Sequence, residues 1–237
     1  MFTLHNGDCL EYMKTLQPKS FDCIVTDPPY GVNMLRGDST VIGKIHGDLA
    51  PPDIKWMADY PAVIFGGNNF CDQLPRSTGW LVWFKYAGEE SEHSQAELAW
   101  TNCVKTIRHY SEQYTGFMRQ REGQWHPTQK PTGLMRWCIS KMKLEPGATI
   151  FDPYMGSGTT GIAAVQMGLN FIGCEISPEY FAIAEKRIKQ AALQPSLFTP
   201  SNNRLHRTGG DFPVLPSQST LEGFTTPEAD TTPPASQ

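Results

Sequence analysis

The residues able to do chemistry in this chain lie in a few short stretches. One is Phe21-Asp22-Cys23-Ile24-Val25-Thr26-Asp27-Pro28-Pro29-Tyr30-Gly31, an apolar run closed by an acid, two prolines and an aromatic. Pro28 and Pro29 break any β-ladder, so Asp27 stands at a strand end beside carbonyls that no ladder uses. With the ring of Tyr30, these groups form a clamp suited to a planar molecule bearing an NH2. The same tetrapeptide also suits a capped strand followed by a stiff surface turn. A second stretch is Asp152-Pro153-Tyr154-Met155-Gly156-Ser157-Gly158-Thr159-Thr160-Gly161. Its glycines let a ligand approach the backbone, and the helix it opens offers free N–H groups. The spacing departs from the strict GxGxxG of dinucleotide binders. No Gly-Lys-Ser/Thr follows, which argues against a P-loop ATPase. Glu175 ends the next apolar run, where an acid can accept hydrogen bonds from ribose hydroxyls. A solvent-facing acid after a tight turn is the plainer alternative. Asp8 follows the Asn6-Gly7 turn and suits the N-cap of a helix bearing Leu10, Met13 and Leu16.

These side chains need elements to position them. Phe2–Leu4, Cys23–Thr26, Ala62–Phe65 and Trp80–Phe84 read as strands. The last is too apolar for a half-exposed strand, which predicts a sheet covered on both faces. Phe70 to Leu74 is at most a short helix. Ala96–Trp100 mixes a helical formula with a large aromatic and is placed at the sheet's edge. Pro131 fits the first turn of a helix carrying Leu134, Met135, Trp137, Cys138 and Ile139, which should stop near Pro146-Gly147. Ala148–Phe151, the helix through Ile162 and Met167, and Asn170–Cys174 form a βαβ unit. Ser177 and Pro178 start a further helix, buried through Tyr180, Phe181, Ala184 and Ile188 and solvated through Glu185, Lys186, Arg187 and Lys189.

Composition sets the outer limits. A chain of 237 residues allows one large domain plus a tail. The net charge of -4 argues against a broadly basic nucleic-acid binder but leaves room for a local basic groove. Arg36, Lys44 and His46 lie in the irregular segment from Gly31 to Trp56. Lys105, Arg108, His109, Arg119 and Arg121 interleave with Tyr110, Tyr114 and Phe117, a mixture that suits a nucleic-acid surface as well as an ordinary charged one. None of the six cysteines is spaced as CxxC, so no structural metal is expected, and the thiols suit a reducing compartment. No signal peptide or membrane-spanning run is visible. From about Pro195 the residues are mostly Pro, Ser, Thr and Gly, the composition of a disordered tail.

Together these stretches resemble the DNA amino-methyltransferases that use S-adenosylmethionine. Asp27-Pro28-Pro29-Tyr30 matches the family's catalytic [Asp/Asn/Ser]-Pro-Pro-[Tyr/Phe/Trp] motif. Asp152-Pro153-Tyr154-Met155-Gly156-Ser157-Gly158-Thr159-Thr160 matches its cofactor motif, with Tyr154 for the usual Phe. His126-Pro127-Thr128-Gln129-Lys130-Pro131 matches the segment that precedes that motif in the permuted, beta-type members. The resemblance is closest to the small cytoplasmic enzymes of bacteria and their phages. It implies a Rossmann-like α/β fold with a seven-stranded mixed sheet and helices on both faces. It implies one methyltransferase domain over 1–192, with a catalytic half at 1–125 and a cofactor half at 126–192, and a tail at 193–237. Asp27, Pro28, Pro29 and Tyr30 then act on the target base, with Asp27 also bordering the cofactor. The methionine part of the cofactor falls to Asp152, Tyr154, Gly156, Gly158 and Thr159, the ribose to Glu175 and the cofactor adenine to Asp8. Thr128 and Lys130 lie in the segment that closes over the methionine end. The partner is double-stranded DNA. Family habit attaches Asp at the first motif position mainly to adenine N6, with cytosine N4 the first alternative and an RNA methyltransferase or a non-catalytic DNA-binding module behind it. A large target-recognition domain does not fit between Tyr86 and Trp125. Loop residues there or in 31–56, or a second copy in a homodimer, are left to read the DNA.

Overall fold

The computed structural model describes residues 1–31, 50–85, 94–112, 125 and 129–194. Within them, eight strands form one sheet: β1 (Phe2–Asn6), β2 (Cys23–Thr26), β3 (Ala62–Phe65), β4 (Gly79–Phe84), β5 (Ala96–Thr101), β6 (Ile107–Ser111), β7 (Thr149–Asp152) and β8 (Asn170–Glu175). Their order is β1-β8-β7-β2-β3-β5-β4-β6. Only β5 runs against the rest, pairing antiparallel with both β3 and β4. The α-helices are α1 (Cys9–Met13), α2 (Thr132–Lys141), α3 (Thr159–Gln166) and α4 (Pro178–Leu193), with short 3-10 turns at Lys55–Asp59 and Gly67–Phe70.

The central strands are buried on both faces because successive side chains serve two different cores. Cys23, Val25, Val63, Phe65, Ile150 and Phe171 pack with α2, α3 and α4. Ile24, Ala62, Ile64, Phe151 and Ile172 pack on the other side, with Cys9 of α1 and with Ile54, Met57 and Phe70. The expected double cover therefore holds for β2 and β3. It does not hold for β4, where Trp80 and Val82 are half-buried and Phe84 is exposed.

Several expectations are corrected by the pairing. β6 is an eighth strand where the resemblance implies seven; it lies parallel along β4 from Trp80↔Ile107 to Phe84↔Ser111. Ala96–Trp100 is an interior strand, not an edge, since hydrogen bonds on both sides outweigh its helical composition. α2 ends at Lys141, well before Pro146, and Lys143 turns the chain with φ +53°. Lys105, Arg108 and His109 are exposed, but Tyr110 turns inward, 5.3 Å from the Trp137 ring, with its hydroxyl on Glu112. The segments 32–49, 86–93, 113–124, 126–128 and 195–237 lie outside the described residues. With them go Arg36, Lys44, His46, Tyr114, Phe117, Arg119, Arg121, Thr128 and nearly all of the expected tail.

The elements from β7 to α4 are locked by two glycines. Gly158, at φ +84°, begins α3, and Gly161 lies within it. A Cβ on Gly161 would stand 2.5 Å from Ile188 Cδ1 and 2.7 Å from Phe171 Cε1. Alanine there gains about 1 kcal/mol of helix propensity but overpacks a buried contact, at a cost of about 1–3 kcal/mol. Gly161→Ala should therefore lower the midpoint of urea unfolding, and an unchanged or raised midpoint would show that α4 yields freely.

Candidate active site

The sheet order reverses between β7 and β2. Chain segments leave these neighbours in opposite directions, β7 toward β8 and β2 toward β3. Open α/β sheets bind ligands at such a point, outside the carboxyl ends of the strands. Asp27 follows β2, Asp152 ends β7, Glu175 ends β8 and Asp8 follows β1, so these acids stand at one end of four adjacent parallel strands. A pocket between them is lined by Asp27, Gln129, Lys130, Asp152, Tyr154 and Ser157, with the first residues of α3 behind.

The two halves of the pocket touch through a buried hydrogen bond. Thr26 Oγ1 donates to Asp152 Oδ1 at 2.7 Å, and the Tyr154 amide donates to the same oxygen at 3.1 Å. Burial pushes the Asp152 carboxyl up to about 7, against the pull of the Thr160 and Thr26 hydroxyls and the Tyr154 N–H. Asp152 thus titrates near neutrality.

Asp27 sits in a charged cluster. Tyr30 donates its hydroxyl to Asp27 Oδ1 at 2.6 Å, and Lys130 Nζ donates to Oδ2. Lys130 also stands 3.2 Å from Glu97 Oε2, and Lys85 donates to Glu97 Oε1 at 2.7 Å. Burial pushes Asp27 above the ordinary carboxylate range, opposed by Lys130. Burial alone would pull Lys130 down, but Asp27 and Glu97 outweigh it and hold the ammonium well above the lysine range. Burial would raise Glu97, but Lys130 and Lys85 hold it below its usual value. Tyr30, raised by burial and by Asp27, stays a phenol and a donor. Its ring lies over Gly66, where a Cβ would stand 2.1 Å from Tyr30 Cε1 and where φ is +66°. Pro28 is buried and Pro29 half-buried, so the turn is packed from beneath.

The glycine turn is tied from several sides. The Gly156 amide donates to Glu175 Oε2 at 3.0 Å, and the Ser177 amide donates to Oε1 at 2.8 Å. Arg187 Nη1 donates to the Ser157 carbonyl at 2.5 Å and to Ser157 Oγ at 2.9 Å. Arg187 is therefore part of the turn's support and not of a solvated face. Asp8 is the expected N-cap, with Oδ1 accepting from the Leu10 and Glu11 amides. It is exposed and does not line the pocket, but it stands beside β8, where the Gly7 amide donates to the Glu175 carbonyl at 3.0 Å.

The geometry thus brings Asp27, Lys130, Asp152, Tyr154, Gly156 and Thr159 to one pocket, with Tyr30 joined to it through Asp27 and Glu175 at its rim through Gly156. It adds Thr26, Glu97, Gln129, Ser157 and Arg187, which sequence reading does not single out. Glu97 carried a usable signal, as a charged residue inside an apolar run, and Gln129 and Ser157 lie within the quoted motifs; Thr26 and Arg187 carried none. A carboxylate and a proline carbonyl can accept both N–H bonds of an aromatic amine. The rim acids can accept from hydroxyl and ammonium donors. The N-terminal amides of α3 suit a carboxylate. Among the described residues, no group of His, Cys, Asp and Glu could hold a metal ion, and no helix is long and apolar enough to cross a membrane.

The chain is similar to several known proteins. The profile of the N6_N4_Mtase family, described as DNA methylase, matches residues 68–186. The chain is 32% identical over 249 residues to the type II methyltransferase M2.DpnII of Streptococcus pneumoniae, covering 78% of this chain and 89% of that protein. It is 24% identical over 255 residues to the type II methyltransferase M.HinfI of Haemophilus influenzae, covering 82% of this chain and 70% of that protein. The fold is similar to that of M1.HpyAVI in complex with S-adenosylmethionine, at 24% identity and a TM-score of 0.51 over 79% of this chain and 99% of that one. It is also similar to the PvuII DNA methyltransferase, described as cytosine-N4-specific, at 15% identity and a TM-score of 0.52 over 84% and 89%. The chain belongs to the S-adenosylmethionine-dependent DNA amino-methyltransferases of the N6/N4 family.

Proposed function

We propose that this chain transfers a methyl group from S-adenosylmethionine to N6 of an adenine in double-stranded DNA. The observation that carries this reading is an aspartate, Asp27, at the end of β2 beside the Asp152 pocket. In the family it resembles, Asp at this position goes mainly with adenine. The similarity to relatives named as type II methyltransferases supports a role in restriction–modification. The pocket's chemistry fits the cofactor. Each oxygen of Glu175 accepts a backbone N–H, and a carboxylate oxygen can accept a second bond, which suits ribose hydroxyls. Asp152, Tyr154, Gly156, Gly158 and Thr159 would hold the methionine end, Asp8 would face the adenine ring, and Thr128 and Lys130 belong to the closing segment. When bound, the cofactor supplies a methyl group on a sulfonium.

The chain's own residues do the rest. The target base must leave the duplex to reach Asp27. Asp27 and the Pro28 carbonyl accept the amine's N–H bonds, which draws nitrogen lone-pair density out of the ring and toward the methyl. Pro29 keeps the turn stiff, and Tyr30 stacks on the base. Taking up the methyl group would leave positive charge on the amine nitrogen, which would then lose one proton to solvent. The anionic lining favours that charge. Residues 1–192 would form the transferase domain, with 193–237 appended.

Digesting methylated DNA to nucleosides should yield N6-methyladenine; N4-methylcytosine as the product would move the assignment to cytosine. Asp27→Ala should lower transfer about a hundred-fold or more while leaving cofactor affinity in place by calorimetry. Full activity in that variant would remove Asp27 from its role. Cofactor affinity should also depend on pH. A cationic ligand favours ionised Asp152, so binding should be about ten-fold weaker at pH 6 than at pH 8 and should release a proton near pH 7. Asp152→Asn should flatten that dependence, and an unaltered pH profile in the variant would exclude Asp152 as its source.

A further inference from the structure

Both oxygens of Asp27 are already engaged, Oδ1 by the Tyr30 hydroxyl and Oδ2 by Lys130. Each oxygen could accept a second bond, but a carboxylate held by an ammonium is a weaker acceptor, so for Asp27 to take an amine N–H as proposed above Lys130 has to loosen its hold. Lys130 cannot leave for solvent: it is 6% exposed, and a buried ammonium without an anion is costly. The structure supplies a second anion. Glu97, inside β5, holds Oε2 3.2 Å from Lys130 Nζ, and that oxygen is buried and makes no hydrogen bond. Oε1 is occupied by Lys85, so Glu97 is fixed in place with one oxygen left for Lys130. A buried oxygen without a hydrogen bond is normally avoided, and this one is already ion-paired with the cation that the proposed reaction displaces.

We propose that Glu97 is a positioning residue for methyl transfer, receiving the Lys130 ammonium from Asp27 as the target amine arrives. No proton or covalent bond changes hands in this step. One charge-assisted hydrogen bond to Asp27 is replaced by one to Glu97, and the cluster of Asp27, Glu97, Lys130 and Lys85 stays balanced. Without Glu97, Lys130 has only Asp27 to neutralise it, and the clamp stays closed against the base. Glu97 does not line the cofactor pocket, so its effect falls on turnover and not on cofactor binding.

The test is a double-mutant cycle on purified full-length protein, with kcat, the KM for S-adenosylmethionine and the melting temperature measured for each variant. Glu97→Gln should lower kcat about ten-fold, the scale of one charge-assisted hydrogen bond, with the KM for S-adenosylmethionine unchanged. In a Lys130→Gln background the same change should have little effect, because the cation that Glu97 receives is gone. Should the Glu97→Gln variant not fold, Glu97→Asp keeps the charge but shortens the reach, and the same loss and the same dependence on Lys130 are expected of it. An undiminished kcat in the single variant, or an equal loss in both backgrounds, would overturn the proposal. Asp27→Ala in the same assay separates the two readings. Full activity there removes the role of Asp27 and this proposal with it, whereas loss there with no Glu97–Lys130 coupling removes this proposal alone.

Discussion

The structure turns on one buried hydrogen bond, from Thr26 to Asp152. Thr26 is the last residue of the strand that carries the proposed base clamp, and Asp152 is the last residue of the strand that opens the glycine turn. The two strands are parallel neighbours where the sheet order reverses. A buried carboxyl at this place is tolerated only when donors surround it, and Thr26, Thr160 and the Tyr154 amide are those donors. The bond therefore does more than satisfy polar atoms. It sets the distance between the two chemical halves of the site to within the tolerance of one hydrogen bond, which is the precision that transfer between two bound molecules demands.

The charged cluster around Asp27 answers a different constraint. Two acids and two lysines, from just beyond β2 and β4, from β5 and from the segment before α2, meet in a mostly buried cluster. Removing any one leaves an uncompensated charge, a larger penalty than the net worth of the pair. The cluster is thus better understood as a way to keep charge available than as a source of stability. Apolar residues of similar volume would hold these elements together at least as well.

Much of this was legible in the residues, and the failures are instructive. Cys23–Thr26, Ala62–Phe65 and Asn170–Cys174 read as strands because each is an apolar run bounded by turn residues, and the structure keeps them nearly unchanged. Ser177 and Pro178 announce the start of α4, and Ser177 Oγ accepts from the Tyr180 amide as an N-cap should. The motif residues converge because their strands are parallel neighbours. The end of α2 was not legible, since it stops without glycine or proline and turns through Lys143. Nor was β6, whose Arg108 and His109 show no alternation; only its ladder with β4 makes it a strand. The supporting contacts of Arg187 and Glu97 are long-range, and no local pattern encodes a partner some thirty residues away in both cases.

The permuted order has a consequence for how the protein comes into being. β1 pairs only with β8, and β2 has β7 as one of its two neighbours, so strands from the start of the chain await partners about 125 to 170 residues later. During synthesis the strand bearing Asp27 therefore leaves the ribosome with an open apolar edge, and it stays open until the cofactor half follows. Contacts of such separation form late and leave the nascent chain exposed to misassociation. The same delay means that a prematurely terminated chain holds Asp27 without Asp152 beside it, and so lacks the pocket that the two strands build together.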